Sequence, residues 1–183
     1  NLYHYKDYFY ILTNYKAKNF RLMKTLISKP EKQYWEEVIP HQDDVLIEGI
    51  DIFQDYLVIE ERKDGLSRIK VINWMDFSSH YVEFNDPAYS VFTTSNVEFD
   101  TSILRFVYTS MTTPVTVYDY DMKLTTKKLL KQDQVLDDTF SPSNYESKRY
   151  YAKARDGKKV PISLVYKKGM TKDNNNPLLL YGY

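Results

Sequence analysis

Hydrophobic and polar positions alternate over short stretches along most of the chain, and the stretches recur. Residues 7–12 read as a strand, and comparable stretches begin about 48 residues later at 55–60 and again at 103–108. Each is followed by a second strand after a polar turn (20–24, 68–72 and 115–120) and by a third (35–39, 80–84 and 127–130). A fourth strand precedes two of these sets, at 49–53 and 90–94, and the pattern puts its first-unit counterpart upstream of residue 1. Within 115–120, Val115 and Val117 share one face and Thr116 and Tyr118 the other. Lys63-Asp64-Gly65 carries hairpin-turn chemistry, and Asn85-Asp86-Pro87 marks a boundary between units. Helical signals are thin. The best stretch, 30–38, runs into Pro40 and reads as a turn followed by a strand.

Four antiparallel strands at this period predict a mainly β chain, a partial β-propeller of about two and a half to three blades. A β-sandwich with coincidental spacing is the competing fold. The period is lost after Asp138, so residues 1–140 form one region and 141–183 another. In the second region, strands at 150–154 and 160–166 flank the turn signal Arg155-Asp156-Gly157-Lys158. Beyond the loop at 173–177, the run Pro177-Leu178-Leu179-Leu180-Tyr181 predicts a strand covered on both faces, as in an α/β sheet. The chain starts without an initiator Met and stops inside that apolar pattern, so it reads as a piece of a longer protein.

Composition narrows the chemistry. Aromatic residues make up 16% of the 183 positions, 18 of them Tyr, which favours strand. There is no Cys, which removes disulfides, thiolate metal sites and thiol catalysis. No apolar run is long enough to span a bilayer as a helix. Lys and Arg balance Asp and Glu at 25 each, but residues 141–183 hold nine basic against three acidic side chains. A nucleic-acid patch is one reading of that tail; a solvated hairpin edge guarded by lysines is the favoured one, because no recognisable binding module accompanies the charge.

No self-contained active site is legible. The five glycines cannot frame a Gly-x-Ser-x-Gly elbow, a phosphate loop or a dinucleotide motif, and His4, His41 and His80 form no zinc helix. His41-Gln42-Asp43-Asp44 reads as solvated turn residues rather than a cation site, and Glu60-Glu61-Arg62-Lys63 as a mixed-charge exposed edge. No cofactor or metal is expected. One terminal group stands apart: Tyr183 follows the apolar run, where α/β folds assemble their sites, and a phenol there could donate to an oxyanion. An ordinary core tyrosine is the alternative.

Four stretches carry a resemblance. Asp86-Pro87-Ala88-Tyr89, Tyr108-Thr109-Ser110-Met111-Thr112-Thr113-Pro114, the run from Arg155 through Tyr166, and Asn176-Pro177-Leu178-Leu179-Leu180-Tyr181-Gly182-Tyr183 resemble, in order and spacing, the oligopeptidase B (protease II) group of the prolyl oligopeptidase family of serine peptidases. The resemblance implies a seven-bladed propeller capping an α/β-hydrolase domain with a Ser-Asp-His triad. It implies cleavage of short peptides after Arg or Lys, with the propeller gating access. By position, residues 1–140 correspond to one incomplete and two full late blades, and 141–183 to the linker, hairpin and first strand of the hydrolase domain. The second Tyr of Tyr-Gly-Tyr, implied to be an oxyanion donor, matches Tyr183; the triad and the P1-binding carboxylates fall beyond this chain. The 183 residues alone are expected to be inactive and to self-associate through open blade faces. Short peptides are the expected partners, with neither nucleic acid nor membrane, and the cytoplasm the expected compartment (the bacterial periplasm the alternative). A non-enzymatic propeller scaffold is the alternative function.

Overall fold

The computed structural model describes every residue except Lys172, Asn174 and Tyr183. Three four-stranded antiparallel sheets, each pairing its strands in chain order, account for residues 2–132. The first contains β1 (Leu2–Tyr5), β2 (Tyr8–Thr13), β3 (Arg21–Leu26) and β4 (Glu36–Ile39). The second contains β5 (Val45–Ile52), β6 (Tyr56–Lys63), β7 (Leu66–Asn73) and β8 (Ser79–Tyr81), and the third β9 (Tyr89–Thr93), β10 (Ile103–Ser110), β11 (Thr116–Asp121) and β12 (Thr126–Gln132). A two-stranded hairpin follows, β13 (Tyr145–Lys153) with β14 (Lys159–Lys167).

The periodic reading therefore describes the architecture, with one correction. The first sheet is complete: its opening strand is Leu2–Tyr5, paired Leu2 to Ile11 and His4 to Phe9, and does not lie upstream of the chain. The turn into the next strand is only Lys6–Asp7 there, whereas in the third sheet the equivalent connection is the long loop 94–102. An offset taken from the third sheet overshoots residue 1. The stretch 30–38 folds as a 3-10 turn (Lys32–Tyr34) followed by β4, as the sequence suggests.

Two cores lie between the sheets. Tyr10, Leu12, Leu22, Ile47, Leu57 and Ile59 fill the space between the first and second, and Phe53, Val58, Ile69, Leu104 and Phe106 that between the second and third. Strand β6 supplies both, with Leu57, Val58 and Ile59 each fully buried. In the third sheet Thr116 and Tyr120 are buried and Val115 is exposed, so the inward face of that strand is the one carrying Thr116. Phe106 stacks edge-on to Phe84, and Tyr5 of the first sheet lies flat on Trp74 of the second at 4.8 Å between ring centroids. Tyr5 also donates its hydroxyl to the Gln54 carbonyl, 2.7 Å.

Antiparallel strands reverse at every turn, so connections alternate between the two ends of the sheets. The β6–β7 turn, the β10–β11 turn, the inter-sheet link 82–88 and the departure from β12 all fall at one end, called here the link end. The hairpin packs there.

One further expectation is corrected. Glu60 and Glu61 are not on an exposed edge: β6 is an interior strand, and Glu61 is 3% exposed. The run 177–181 belongs to no strand among the described residues, and Leu178, Leu179, Leu180 and Tyr181 are all exposed. A strand covered on both faces needs neighbours on both sides, and the described residues supply none.

Candidate functional site

The link end gathers the stretches that the sequence singled out. The β10–β11 turn folds on its own side chains: Ser110 Oγ accepts from the amides of Thr112 (3.2 Å) and Thr113 (3.0 Å), and Thr109 Oγ1 donates to the Thr113 carbonyl at 3.1 Å. This closure points the end of β10 toward the preceding link. There the Asp86 carboxylate accepts from the Tyr108 hydroxyl and, at 3.3 Å, from Thr113 Oγ1. Two motifs separated along the chain thus meet at one carboxylate. Phe84 lies flat on Tyr108 at 4.8 Å, and Tyr89 tilts against the same ring at 5.7 Å.

Burial, then the hydrogen bond to Asp86 and that residue's charge, hold the Tyr108 phenol far above the ordinary tyrosine range. Burial also raises Tyr89, although the positive charges of Arg68 and Arg149 oppose it. Both phenols stay protonated at neutral pH, as donors and aromatic walls rather than acids.

The hairpin completes the site. Its turn has the expected chemistry: Gly157 takes φ +83° and the Ala154 amide donates to the Lys158 carbonyl, 2.8 Å. Ser163 of β14 faces Tyr89, Ser90, Ser110 and Met111 across an open hollow of about 220 Å³. On its other flank, Arg149 Nη2 donates to the backbone carbonyl of Asp64, in the β6–β7 turn. That turn has positive φ at both residues, 51° at Asp64 and 77° at Gly65, the conformation its Asp-Gly sequence favours.

Beside it lies a charged network that sequence reasoning missed. Glu61 accepts from Arg68 Nη2 at 3.0 Å and from the Tyr81 hydroxyl at 2.9 Å, while the Arg68 guanidinium lies over the Tyr81 ring. The one available signal was the offset across the Asp64–Gly65 turn, which pairs Glu61 opposite Arg68.

Three of the four resemblance stretches therefore converge. Tyr183, the singled-out catalytic position, lies outside the described residues. Asp44 is held by Lys63, 2.8 Å, and no group of three metal-ligating side chains occurs among the described residues. The basic side chains of the tail are mostly exposed, two of them beside their own carboxylates: Lys148 with Glu146 and Lys158 with Asp156. No histidine lines the link-end hollow. The hydroxyls, aromatic rings and Asp86 carboxylate of the link end can bind and position, and the hydroxyls nearest that carboxylate, those of Tyr108 and Thr113, are engaged as donors to it.

Comparison with known proteins agrees with this geometry. The family described as "Prolyl oligopeptidase, N-terminal beta-propeller domain" matches residues 1–133. Dipeptidyl aminopeptidase BI of Pseudoxanthomonas mexicana is 38% identical over 182 residues, which is 98% of this chain and 25% of that protein. Protease 2 of Moraxella lacunata is 28% identical over 180 residues, again 98% of this chain and 25% of that protein. Among solved structures, oligopeptidase B from Trypanosoma brucei, in a closed form with covalently bound antipain, superposes with a TM-score of 0.87 at 34% identity, covering 100% of this chain and 27% of that one. The chain spans about a quarter of the length of the curated relatives it matches.

Proposed function

Because the chain belongs to the prolyl oligopeptidase family through its N-terminal β-propeller domain, we propose that it is the late arc of a propeller gating a serine oligopeptidase that cuts short peptides after Arg or Lys. Residues 141–183 are then the linker, hairpin and first strand of the hydrolase domain, and Tyr183 is its oxyanion donor. The observation that carries the reading is the convergence at the link end: the 86–89, 108–114 and 155–166 stretches, each similar to oligopeptidase B, meet where the chain leaves the last sheet. The cytoplasm is the compartment proposed on the same likeness.

On this reading the 183 residues lack the triad and hydrolyse no arginyl or lysyl amide reporter. Turnover that survives a serine-directed inactivator and repurification overturns that statement. In the full-length enzyme, Tyr183→Phe lowers the acylation rate by about 10²–10³-fold, the usual loss for one oxyanion donor. An unchanged rate removes Tyr183 from the mechanism.

The 38% identity to a dipeptidyl aminopeptidase favours a second reading, removal of amino-terminal dipeptides. Reporters with free and with acylated amino termini separate the two. An internal cutter accepts both, and a dipeptidyl peptidase accepts only the free form.

A further inference from the structure

Every buried residue among those described lies in the first 140 positions; from 141 onward none is buried. The hairpin has no core of its own, and an isolated two-stranded ribbon is marginal in water. Its hold on the sheets is concentrated at the Asp64–Gly65 turn. Arg149 Nη2 donates to the Asp64 carbonyl, a charge-assisted bond of the stronger kind. Gly65, at φ +77°, lets the Pro161 and Arg149 side chains approach its backbone so closely that a Cβ there would lie 3.2 Å from Pro161 Cγ and 3.3 Å from Arg149 Nη2. The Arg149 guanidinium also lies 5.7 Å from the Tyr151 ring, and its Nε is buried without a hydrogen-bond partner among the described residues. On the opposite flank the seat is unfilled, because the hollow beside Ser163 separates β14 from Ser110 and Met111.

We propose that Arg149 is a positioning residue that, with Pro161, pins the β13–β14 hairpin to the second sheet, making the hairpin a strap with a docked and a released position. The approach at Gly65 selects the docked position, and the guanidinium–carbonyl bond sets its population. The inference does not rest on the peptidase reading, since its contacts lie wholly within the described residues.

Hydrogen exchange of the 183-residue chain tests it. Docking protects the backbone amides of 145–153 and 159–167, because the ribbon opens readily only once released. Arg149→Ala should raise their exchange about tenfold or more, the equivalent of one hydrogen bond to a charged group. Amides of Ile59, Val71 and Phe106 should be unaffected, and Arg149→Lys should recover part of the protection. Gly65→Asn tolerates the positive φ but sets a Cβ against Pro161, so it should loosen the hairpin with the arginine intact. Gly157→Asn, where the nearest side-chain atom is Lys153 Cε at 3.9 Å, should leave exchange near that of the unmodified chain. Unchanged hairpin exchange in both Arg149→Ala and Gly65→Asn overturns the proposal. So does an equal loss of protection in the sheets, which makes Arg149 an ordinary part of the fold.

Discussion

The network around Glu61 gives the sharpest test of how the second sheet is held. The carboxylate is 3% exposed and takes two hydrogen bonds, from Arg68 Nη2 and the Tyr81 hydroxyl, whereas the Arg68 side chain remains 26% exposed. Removing one member of a fully buried ion pair costs about 3–5 kcal/mol, because the remaining charge stays out of water. The two deletions should therefore differ. Glu61→Ala leaves a guanidinium that can turn toward solvent, and should cost about 2 kcal/mol. Arg68→Ala leaves a carboxylate sealed under the sheet with only a phenol for company, and should cost about 3–4 kcal/mol. Replacing both by Met removes the uncompensated charge and should cost less than Arg68→Ala alone. Urea unfolding followed by circular dichroism reads all three. Single costs that simply sum in the double variant, or an Arg68→Ala cost under about 1 kcal/mol, would refute the reasoning.

The other outcomes follow from burial and charge. Burial pushes Tyr10 up to about 12; with an unfolded value near the ordinary 10, its contribution is complete below that pH and lost as pH rises toward 12, so Tyr10→Phe should flatten the alkaline decline in stability while changing little near pH 8. Asp51 is raised by burial, against hydrogen bonds to Thr93 and Asn96, and its Oδ2 has no partner among the described residues. A raised carboxyl favours the fold only in its protonated form, so Asp51→Asn should raise the melting temperature at pH 7, and the gain should vanish below the ordinary carboxylate range. Phe106→Ala, at a side chain with no exposed surface, should cost about 3–5 kcal/mol in the same urea assay. The outward faces of the end sheets carry Leu2, Phe9, Ile11 and Met23 on the first and Phe92, Val107 and Val117 on the third; light scattering should find association that Phe92→Glu reduces, and a monodisperse monomer would count against it.

Strands, turns and period were legible because each depends on neighbours in sequence. Asp64-Gly65 and Arg155-Asp156-Gly157-Lys158 announce their turns through residues suited to positive φ. What depends on distant neighbours was not legible. Tyr56-Leu57-Val58-Ile59 and Pro177-Leu178-Leu179-Leu180 look alike as text, yet the first is buried on both faces and the second lies open, because only the first has strands on either side. Glu61 was misplaced for the same reason: alternation puts it opposite Glu60 without revealing that both faces of β6 are covered. Leu2–Tyr5 escapes the periodic reading because the connection to the second strand ranges from residues 6–7 in the first sheet to the loop 94–102 in the third, so no fixed offset locates the opening strand. At the candidate site the motifs were visible but their meeting was not, since nothing in Asp86 or Tyr108 alone indicates that a hydroxyl and a carboxylate will come together.

Strand β6 sends alternate side chains into both cores, Leu57 and Ile59 one way, Tyr56 and Val58 the other. It is shared timber between two rooms. A methyl group trimmed from Leu57 slackens one partition and one trimmed from Val58 the other, whereas losses along β2 or along β10 all fall on the same one. Under a pulling force applied across the chain, the outer panels should peel separately and the middle one should yield last.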